Sequence, residues 1–221
     1  MTRLSLTLHD TDGPRQAAVM VNRLVIAGWT GRDPALVQAH IAELAALGVR
    51  PPATVPVFYR VAAARFTTAD MIECSGRHSS GKVEFVILQT SGRLWVGVGS
   101  DHTDREVEAY GITVSKQMCD KPVASEFWPL AEVAGHWDRL HLRAWADGAA
   151  YQDGPVAAML HPRVLMEACG GLRDGDVLFG GTLPVVGGIR PAERFKIEMV
   201  DPIRSRCIMH EYHVKPLPIA G

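Results

Sequence analysis

Three short stretches of this sequence carry residue types that could do chemistry together. Residues 172–200 (LRDGDVLFGGTLPVVGGIRPAERFKIEMV) read as a strand ending in Gly180-Gly181-Thr182, a Gly/Pro-rich loop, and a strand alternating Phe195, Ile197 and Met199 with Lys196 and Glu198. Glycines let a backbone approach a ligand closely, and a threonine hydroxyl beside N–H groups suits an oxyanion. The same residues also make a tight β-connection with no ligand. In Lys82-Val83-Glu84-Phe85, strand alternation projects the Lys82 ammonium and the Glu84 carboxylate from one face. Residues 75–81 (SGRHSSG) form a flexible stretch carrying His78, whose imidazole titrates near neutrality and suits general acid–base work. His102, next to Asp101, is its rival for that role.

Other patterns carry less. His210 and His213 sit three apart in an expected strand, face opposite sides and make a poor metal pair. Gly97-x-Gly99 and Gly187-Gly188 are not a dinucleotide fingerprint, because no helix clearly follows them in a βαβ unit. Trp128, Trp137 and Trp145, without clustered lysines, read as core and not as a base-stacking platform. The cysteines, Cys74, Cys119, Cys169 and Cys207, show no CxxC spacing, which argues against structural zinc and a disulfide framework and for reduced thiols.

The elements that must position these residues are mostly strands. Leu4, Leu6 and Leu8 alternate with polar residues, 10–15 is a turn and 18–28 a second strand, which together make a hairpin. A helix follows, with Asp33 as cap, Pro34 in its first turn, Val37, Ile41 and Leu44 at helical spacing, Leu36 and Leu47 widening the stripe, and Gly48 as stop. Pro51, Pro52 and Pro56 then break the chain. Residues 82–89 and 93–99 form a hairpin about Ser91-Gly92, and 140–145 alternate again. A short helix over 161–168 opens on Pro162 and ends at Gly170-Gly171, and 176–179, 194–200 and 206–214 are strands. No linker, repeat or low-complexity run divides the chain. The expectation is one α+β domain, mainly β, over 1–221, with a hairpin-and-helix region at 1–70 and a β-rich catalytic core at 71–221.

The composition fits. With 221 residues, 47% hydrophobic and 21% charged, the chain is neither disordered nor fibrous. Its 23 Lys+Arg against 24 Asp+Glu leave a net charge of −1, so no global field favours nucleic acid or an anionic membrane. The apolar runs are far shorter than the roughly 18–20 residues of a membrane span, and the N-terminus lacks an apolar signal core. A cytoplasmic protein taking a small-molecule substrate is expected.

The motifs resemble a known family. GDVLFGGTLPVVGGIRP is similar to the C-terminal signature of the fumarylacetoacetate hydrolase superfamily, Gly-Asp-(apolar)-(apolar)-x-x-Gly-Thr-x-x-x-(Val)-Gly before a final strand. Ser100-Asp101-His102-Thr103-Asp104-Arg105-Glu106 resembles its Asn-Asp-x-Ser-x-Arg-Asp, Lys121 its lysine, and Lys82-Val83-Glu84-Phe85 its metal-binding Glu-x-Glu strand. The elements occur in the family's order over about 71–200, and the chain looks closest to an uncharacterised bacterial branch. The resemblance implies a mixed β-roll or sandwich with a few peripheral helices, commonly a homodimer.

It also implies an activity. Superfamily enzymes hold Mg²⁺ or Mn²⁺ with three carboxylates and act on 2-oxo acids or β-diketone-like compounds, and one scaffold serves C–C hydrolysis, hydration, decarboxylation and tautomerisation. Carried over residue by residue, Glu84 and Asp101 are metal ligands, Arg105 and Lys121 meet substrate anion and carbonyl, and Thr182 with Gly181 contacts a carboxylate or oxyanion. The third carboxylate is missing from its usual place: Lys82 or Val86 stands there, depending on which position Glu84 takes. Either the Lys82 ammonium sits where the cation would bind, or Glu73, His102, Glu106 or Glu108 completes a rearranged site, with Glu73 the choice made here. The founding hydrolases activate water with a His–Glu pair whose glutamate aligns with Lys196 here, which leaves His78 or His102 as base, with Lys121 as catalytic cation. A small-anion-binding protein that kept the fold but lost the metal is the alternative.

Overall fold

The computed structural model describes residues 1–46 and 51–220. In chain order its strands are β1 (Thr2–Asp10), β2 (Gly13–Val21), β3 (Arg23–Gly28), β4 (Val57–Val61), β5 (Phe66–Thr67), β6 (Met71–Ser75), β7 (Ser79–Ser80), β8 (Val83–Thr90), β9 (Arg93–Ser100), β10 (Thr103–Asp104), β11 (Lys121–Pro122), β12 (Glu126–Pro129), β13 (His141–Ala146), β14 (Ala149–Pro155), β15 (Asp176–Thr182), β16 (Arg194–Asp201) and β17 (Arg206–Leu217). The helices are α1 (Pro34–Ala46), α2 (Arg105–Tyr110), α3 (Ile112–Met118), α4 (Leu130–Val133) and α5 (Pro162–Ala168). Gly48 and Leu47, expected at the end of α1, lie outside the described residues.

Eight strands form one mixed sheet in the order β2-β1-β12-β9-β8-β15-β3-β4, and five form a second, β14-β13-β16-β17-β6. Both faces of β8 are buried, which the apolar run FVIL at 85–88 already suggests. On one face Val83, Phe85 and Ile87 meet Phe195, Ile197, Met199 and Tyr212 of the second sheet in a shared core. On the other, Val86 and Leu88 join Leu6, Leu8, Val19, Val21, Leu24, Ile26, Val61 and Phe127, so edge strands β2 and β4 supply residues to a single cluster. A flat eight-stranded sheet could not bring its edges into one cluster. The sheet is curled on itself and backed by the second, the mainly-β α+β roll expected from the sequence.

Glycines mark where rings enter. A Cβ on Gly97 would lie 2.7 Å from the Phe127 ring, one on Gly99 2.8 Å from Phe179, and one on Gly180 1.9 Å from Phe85. The Gly97-x-Gly99 pattern is therefore an aromatic packing device.

Some local expectations shift. The expected strand 18–28 breaks at Asn22, whose N–H donates to the Gly175 carbonyl at 2.7 Å, so β2 and β3 pair with different neighbours. Leu36 is exposed and lies off the buried side of α1, on which Val37 packs. Trp128 and Trp137 are core, whereas half-buried Trp145 carries Lys196 over its ring at 5.1 Å on an outer face. All four cysteines are free thiols. No helix of the described residues is long and apolar enough to cross a membrane.

The ring-for-glycine packing predicts the cost of filling it. Gly180→Ala should destabilise the fold by at least about 1–3 kcal/mol, the usual cost of overpacking. At roughly 2–4 °C per kcal/mol for a chain of this size, calorimetry should register a clear fall in Tm. Gly135→Ala, where a Cβ meets nothing within 4 Å, should leave Tm essentially unchanged; equal effects would refute the packing account.

Candidate active site

Hairpin register builds the site. Val83 pairs with Ser100 and Glu84 with Gly99, and the Asp101 N–H donates to the Lys82 carbonyl at 2.9 Å. Glu84 and Asp101 thus emerge side by side at the open end of the β8–β9 hairpin. On the other flank of β8, Thr182 of β15 lies opposite Glu84, and Gly180-Gly181 form the irregularity between Phe179 and Thr182. Gly181 has φ +99°, and a Cβ there would lie 1.7 Å from Thr30 Oγ1, so only glycine fits. This turn aims the Gly181 N–H at Glu84 Oε2, to which it donates at 2.8 Å.

Helices α2 and α3 cover the hairpin end. The Asp104 carboxylate caps α2 by accepting from the Val107 N–H at 2.9 Å. From α3, the buried Lys116 Nζ donates to and ion-pairs with Asp101 Oδ2, with the Tyr59 ring centroid 5.4 Å behind it. From α2, Glu108 bridges two cations, accepting from Lys82 Nζ at 2.9 Å and Arg105 Nη1 at 2.7 Å, while Arg105 Nε donates to Ser80 Oγ at 2.5 Å. Side-chain exposure falls from 25% at Glu108 through 15% at Lys82 and 13% at Arg105 to 6% at Lys116 and 0% at Asp101, so the cluster opens outward at Glu108. Two buried polar atoms in it, Asp101 Oδ1 and Arg105 Nη2, have no hydrogen-bond partner.

The charges divide by environment. Burial, with Asp101 adjacent, pushes the Glu84 carboxyl up to about 8 against the opposing pull of Lys116, the Gly181 N–H and Lys82. Burial would also raise Asp101, but Lys116, Lys121 and Lys82 together hold it well below the usual carboxylate range. Two acids at one hairpin end are therefore split, one protonated near neutrality and one ionised. Burial, with Lys116 and Arg105 nearby, brings Lys82 down to about 8, whereas Asp101 and Glu84 overcome burial to raise Lys116. Glu108, despite burial, is held at about 2 by Lys82 and Arg105.

The structure brings Glu84, Asp101, Arg105, Lys121, Gly181 and Thr182 into one region, with changed roles for several. Lys121 Nζ donates to the carbonyls of His102 (2.6 Å), Lys116 (2.5 Å) and Cys119 (2.8 Å), and lies 3.7 Å from Asp101 Oδ1. All three of its protons are spent on backbone, so it clamps the chain, and Lys116 is the ammonium that bonds the Asp101 carboxylate. Thr182 Oγ1 donates to the Val83 carbonyl and accepts from Gln152 Nε2, both at 2.8 Å, and so ties β15 to β8. His102 is fully buried, with Nδ1 3.0 Å from the Tyr212 hydroxyl and Nε2 2.9 Å from Ser79 Oγ, and burial lowers its pKa. With both nitrogens committed inside the core, it is not the base.

Glu73 is no metal ligand either. It faces outward on β6, half exposed and 2.9 Å from Lys215 Nζ, while its neighbour Cys74 points inward, because strand alternation separates them. His78 sits exposed at the rim, 3.7 Å from the exposed Glu106 carboxylate, and its carbonyl accepts from the Arg105 N–H at 2.8 Å. Sequence reasoning missed Lys116 and Tyr59. The one available signal was a lysine near the end of the short segment that follows Arg105.

The residues present do not fit Mg²⁺ or Mn²⁺. Such ions take about six oxygen ligands, and here Asp101 is already ion-paired to Lys116 and flanked by Lys82 and Lys121, while both oxygens of Glu108 are taken by Lys82 and Arg105, which leaves Glu84. Among the described residues no group of three His, Cys, Asp or Glu side chains is arranged to hold a metal ion.

A neutral Glu84 has a measurable consequence. Between pH 4.5 and about 8 the folded chain keeps a proton that the unfolded chain has released, so this group makes stability fall as pH rises across that window. Glu84→Gln removes the effect. Its Tm relative to wild type should climb from pH 5 to pH 8, by on the order of a few kcal/mol in stability; a constant difference would mean Glu84 is ionised throughout.

Solved structures share this architecture. A yeast fumarylacetoacetate hydrolase family protein superimposes with a TM-score of 0.66 at 17% identity, covering 90% of this chain and 95% of its own. Fumarylpyruvate hydrolase from Pseudomonas aeruginosa, in complex with Mn²⁺ and pyruvate, gives 0.63 at 16% identity, covering 98% and 97%. A 5-carboxymethyl-2-hydroxymuconate delta-isomerase from Mycobacterium smegmatis gives 0.64 at 14%, covering 94% and 82%. These likenesses establish the fold. No curated protein sequence matches the chain. A family model spanning residues 27–212 does match, and the chain therefore belongs to the family described as protein of unknown function DUF2848.

Proposed function

We propose that this chain is an enzyme of the hydrolase, lyase or isomerase type that acts on a small carboxylated oxo compound, a 2-oxo acid or β-diketone-like molecule. The observation that carries the reading is a buried carboxyl, Glu84, poised near neutrality beside the buried Lys116 ammonium. A carboxyl with a pKa of about 8 can take a proton from carbon and return it at physiological pH. Lys116 offers positive charge to the oxygen on which an enolate develops, inside a site that excludes water. Arg105 and Lys82 offer two cationic heads to the substrate carboxylate in exchange for Glu108, which holds that position by the same carboxylate chemistry. The exposed His78–Glu106 pair at the rim is the candidate for activating water in a C–C hydrolysis. The complex of the fold-sharing Pseudomonas enzyme with pyruvate supports the substrate class.

A second reading, a non-catalytic anion-binding protein, is favoured by one observation: Lys82, Arg105 and Lys116 face only Glu108 and Asp101, so these paired groups keep one net positive charge for an anion.

Proton exchange at C3 of pyruvate and 2-oxobutyrate in D₂O, followed by NMR, separates the two. The enzyme should catalyse exchange at a rate that rises with pH through about 8, as Glu84 becomes the ionised base. Lys116→Ala should lower kcat by about 10²–10³-fold, the usual cost of losing one oxyanion donor. Arg105→Ala should act mainly on KM. Oxalate raising Tm with no exchange or turnover of any oxo acid would leave the binding protein.

A further inference from the structure

The misfit between this donor set and a divalent ion has a positive counterpart in the lysines. We propose that the buried ammonium groups of Lys116 and Lys82 take the place of a divalent cation in this chain. The site then works without a metal ion, and a metal site appears once those ammoniums are removed. The inference rests on the oxo-acid reading of the site given above.

The geometry carries it from three sides. Lys116 Nζ lies against Asp101 Oδ2, held there by the Tyr59 ring behind it and by its place in α3. Asp101 Oδ1 faces Lys121 at 3.7 Å, so both oxygens of this carboxylate look onto ammonium groups. Lys82 immediately precedes β8, two positions before Glu84, and its Nζ is fixed at 2.9 Å from Glu108. A metal ion entering between Glu84 and Asp101 would meet Lys116 at its ligand and have Lys82 close by, with no third carboxylate free to compensate. The Pseudomonas hydrolase of the same fold is found in complex with Mn²⁺ and pyruvate. This chain keeps two carboxylates at the hairpin end and places amines around them.

The substitution changes how substrate is recognised. An ammonium is one charge with directional N–H donors, so it hydrogen-bonds a carbonyl or enolate oxygen and cannot chelate two oxygens as a coordination centre does. Binding of an oxo acid should therefore not depend on a metal, and a chelator should leave it unchanged.

The test uses the full-length protein stripped with EDTA and dialysed into metal-free buffer. Mn²⁺ is titrated and the free ion followed by electron paramagnetic resonance, while oxalate binding is read as a Tm shift with EDTA and with Mn²⁺. Wild type should leave Mn²⁺ free at submillimolar concentrations, and its oxalate shift should be the same in both buffers. The double variant Lys82→Glu/Lys116→Met, which restores a third carboxylate and removes the competing charge, should take up one Mn²⁺ per chain at least tenfold more tightly than wild type. Stoichiometric Mn²⁺ uptake by wild type, or an oxalate shift seen only with Mn²⁺, would overturn the inference while leaving the oxo-acid reading intact. An absence of any oxalate shift in either buffer would instead strike at that reading, and the wild-type Mn²⁺ titration would still decide whether amines have replaced the metal. That titration needs no variant to fold.

Discussion

Asp101 has no contact with solvent and is nevertheless ionised, and the rest of the site depends on how that charge is held. A buried carboxylate persists only if cations and hydrogen bonds replace the water it has lost. Lys116 reaches it from α3, Lys121 lies on its other oxygen, and Lys82 adds charge from the neighbouring strand. Glu84, placed beside an acid already ionised, stays protonated near neutrality. One paired charge thus sets the state of its neighbour, and two carboxyls acquire opposite roles through environment alone.

The fold exists in part to hold this arrangement at the end of a rigid hairpin. β8 is buried on both faces because a curled sheet closes on one side of it and a second sheet packs on the other. Gln152 of β14 binds the Val83 N–H (2.8 Å), the Leu183 carbonyl (2.6 Å) and Thr182 Oγ1 (2.8 Å), so the second sheet clamps the strand ends that carry the site. Glycines at 180 and 181 serve packing and aim an N–H at Glu84, which joins the core of the protein to its chemistry through a single bulge. The short helices α2 and α3 complete the arrangement, and their Glu108 and Lys116 close the cluster through ion pairs.

A shared fold does not transmit a mechanism. The solved structures that share this architecture at 14–17% identity include a Mn²⁺ complex, and in this chain lysines meet the carboxylate at the end of the β8–β9 hairpin. In the proposed reading, amines in place of a divalent ion keep positive charge near a substrate oxygen and give up chelation.

Much of the architecture could be read from residue pattern alone. The alternation in 1–9, the 82–99 hairpin about Ser91-Gly92, the Pro162 helix start and the strands near 176, 194 and 206 all follow from local periodicity and turn chemistry, and all appear in the structure. The set Glu84, Asp101, Arg105 and Thr182 comes from the resemblance in motif order and not from local periodicity, and strand register brings Glu84 opposite Thr182 and beside the end of β9. Local pattern could not say that α2 and α3 form between Arg105 and Met118, since six- and seven-residue helices are stabilised by what they cover and not by their own propensity. Nor could it say which lysine matters. Lys116 and Lys121 are alike in sequence, and only tertiary packing spends the protons of Lys121 on three carbonyls while turning Lys116 onto Asp101. Glu73 faces water and His102 lies sealed in the core for the same reason. Which way a side chain points, and what charge answers it, depends on strands brought together from distant parts of the chain.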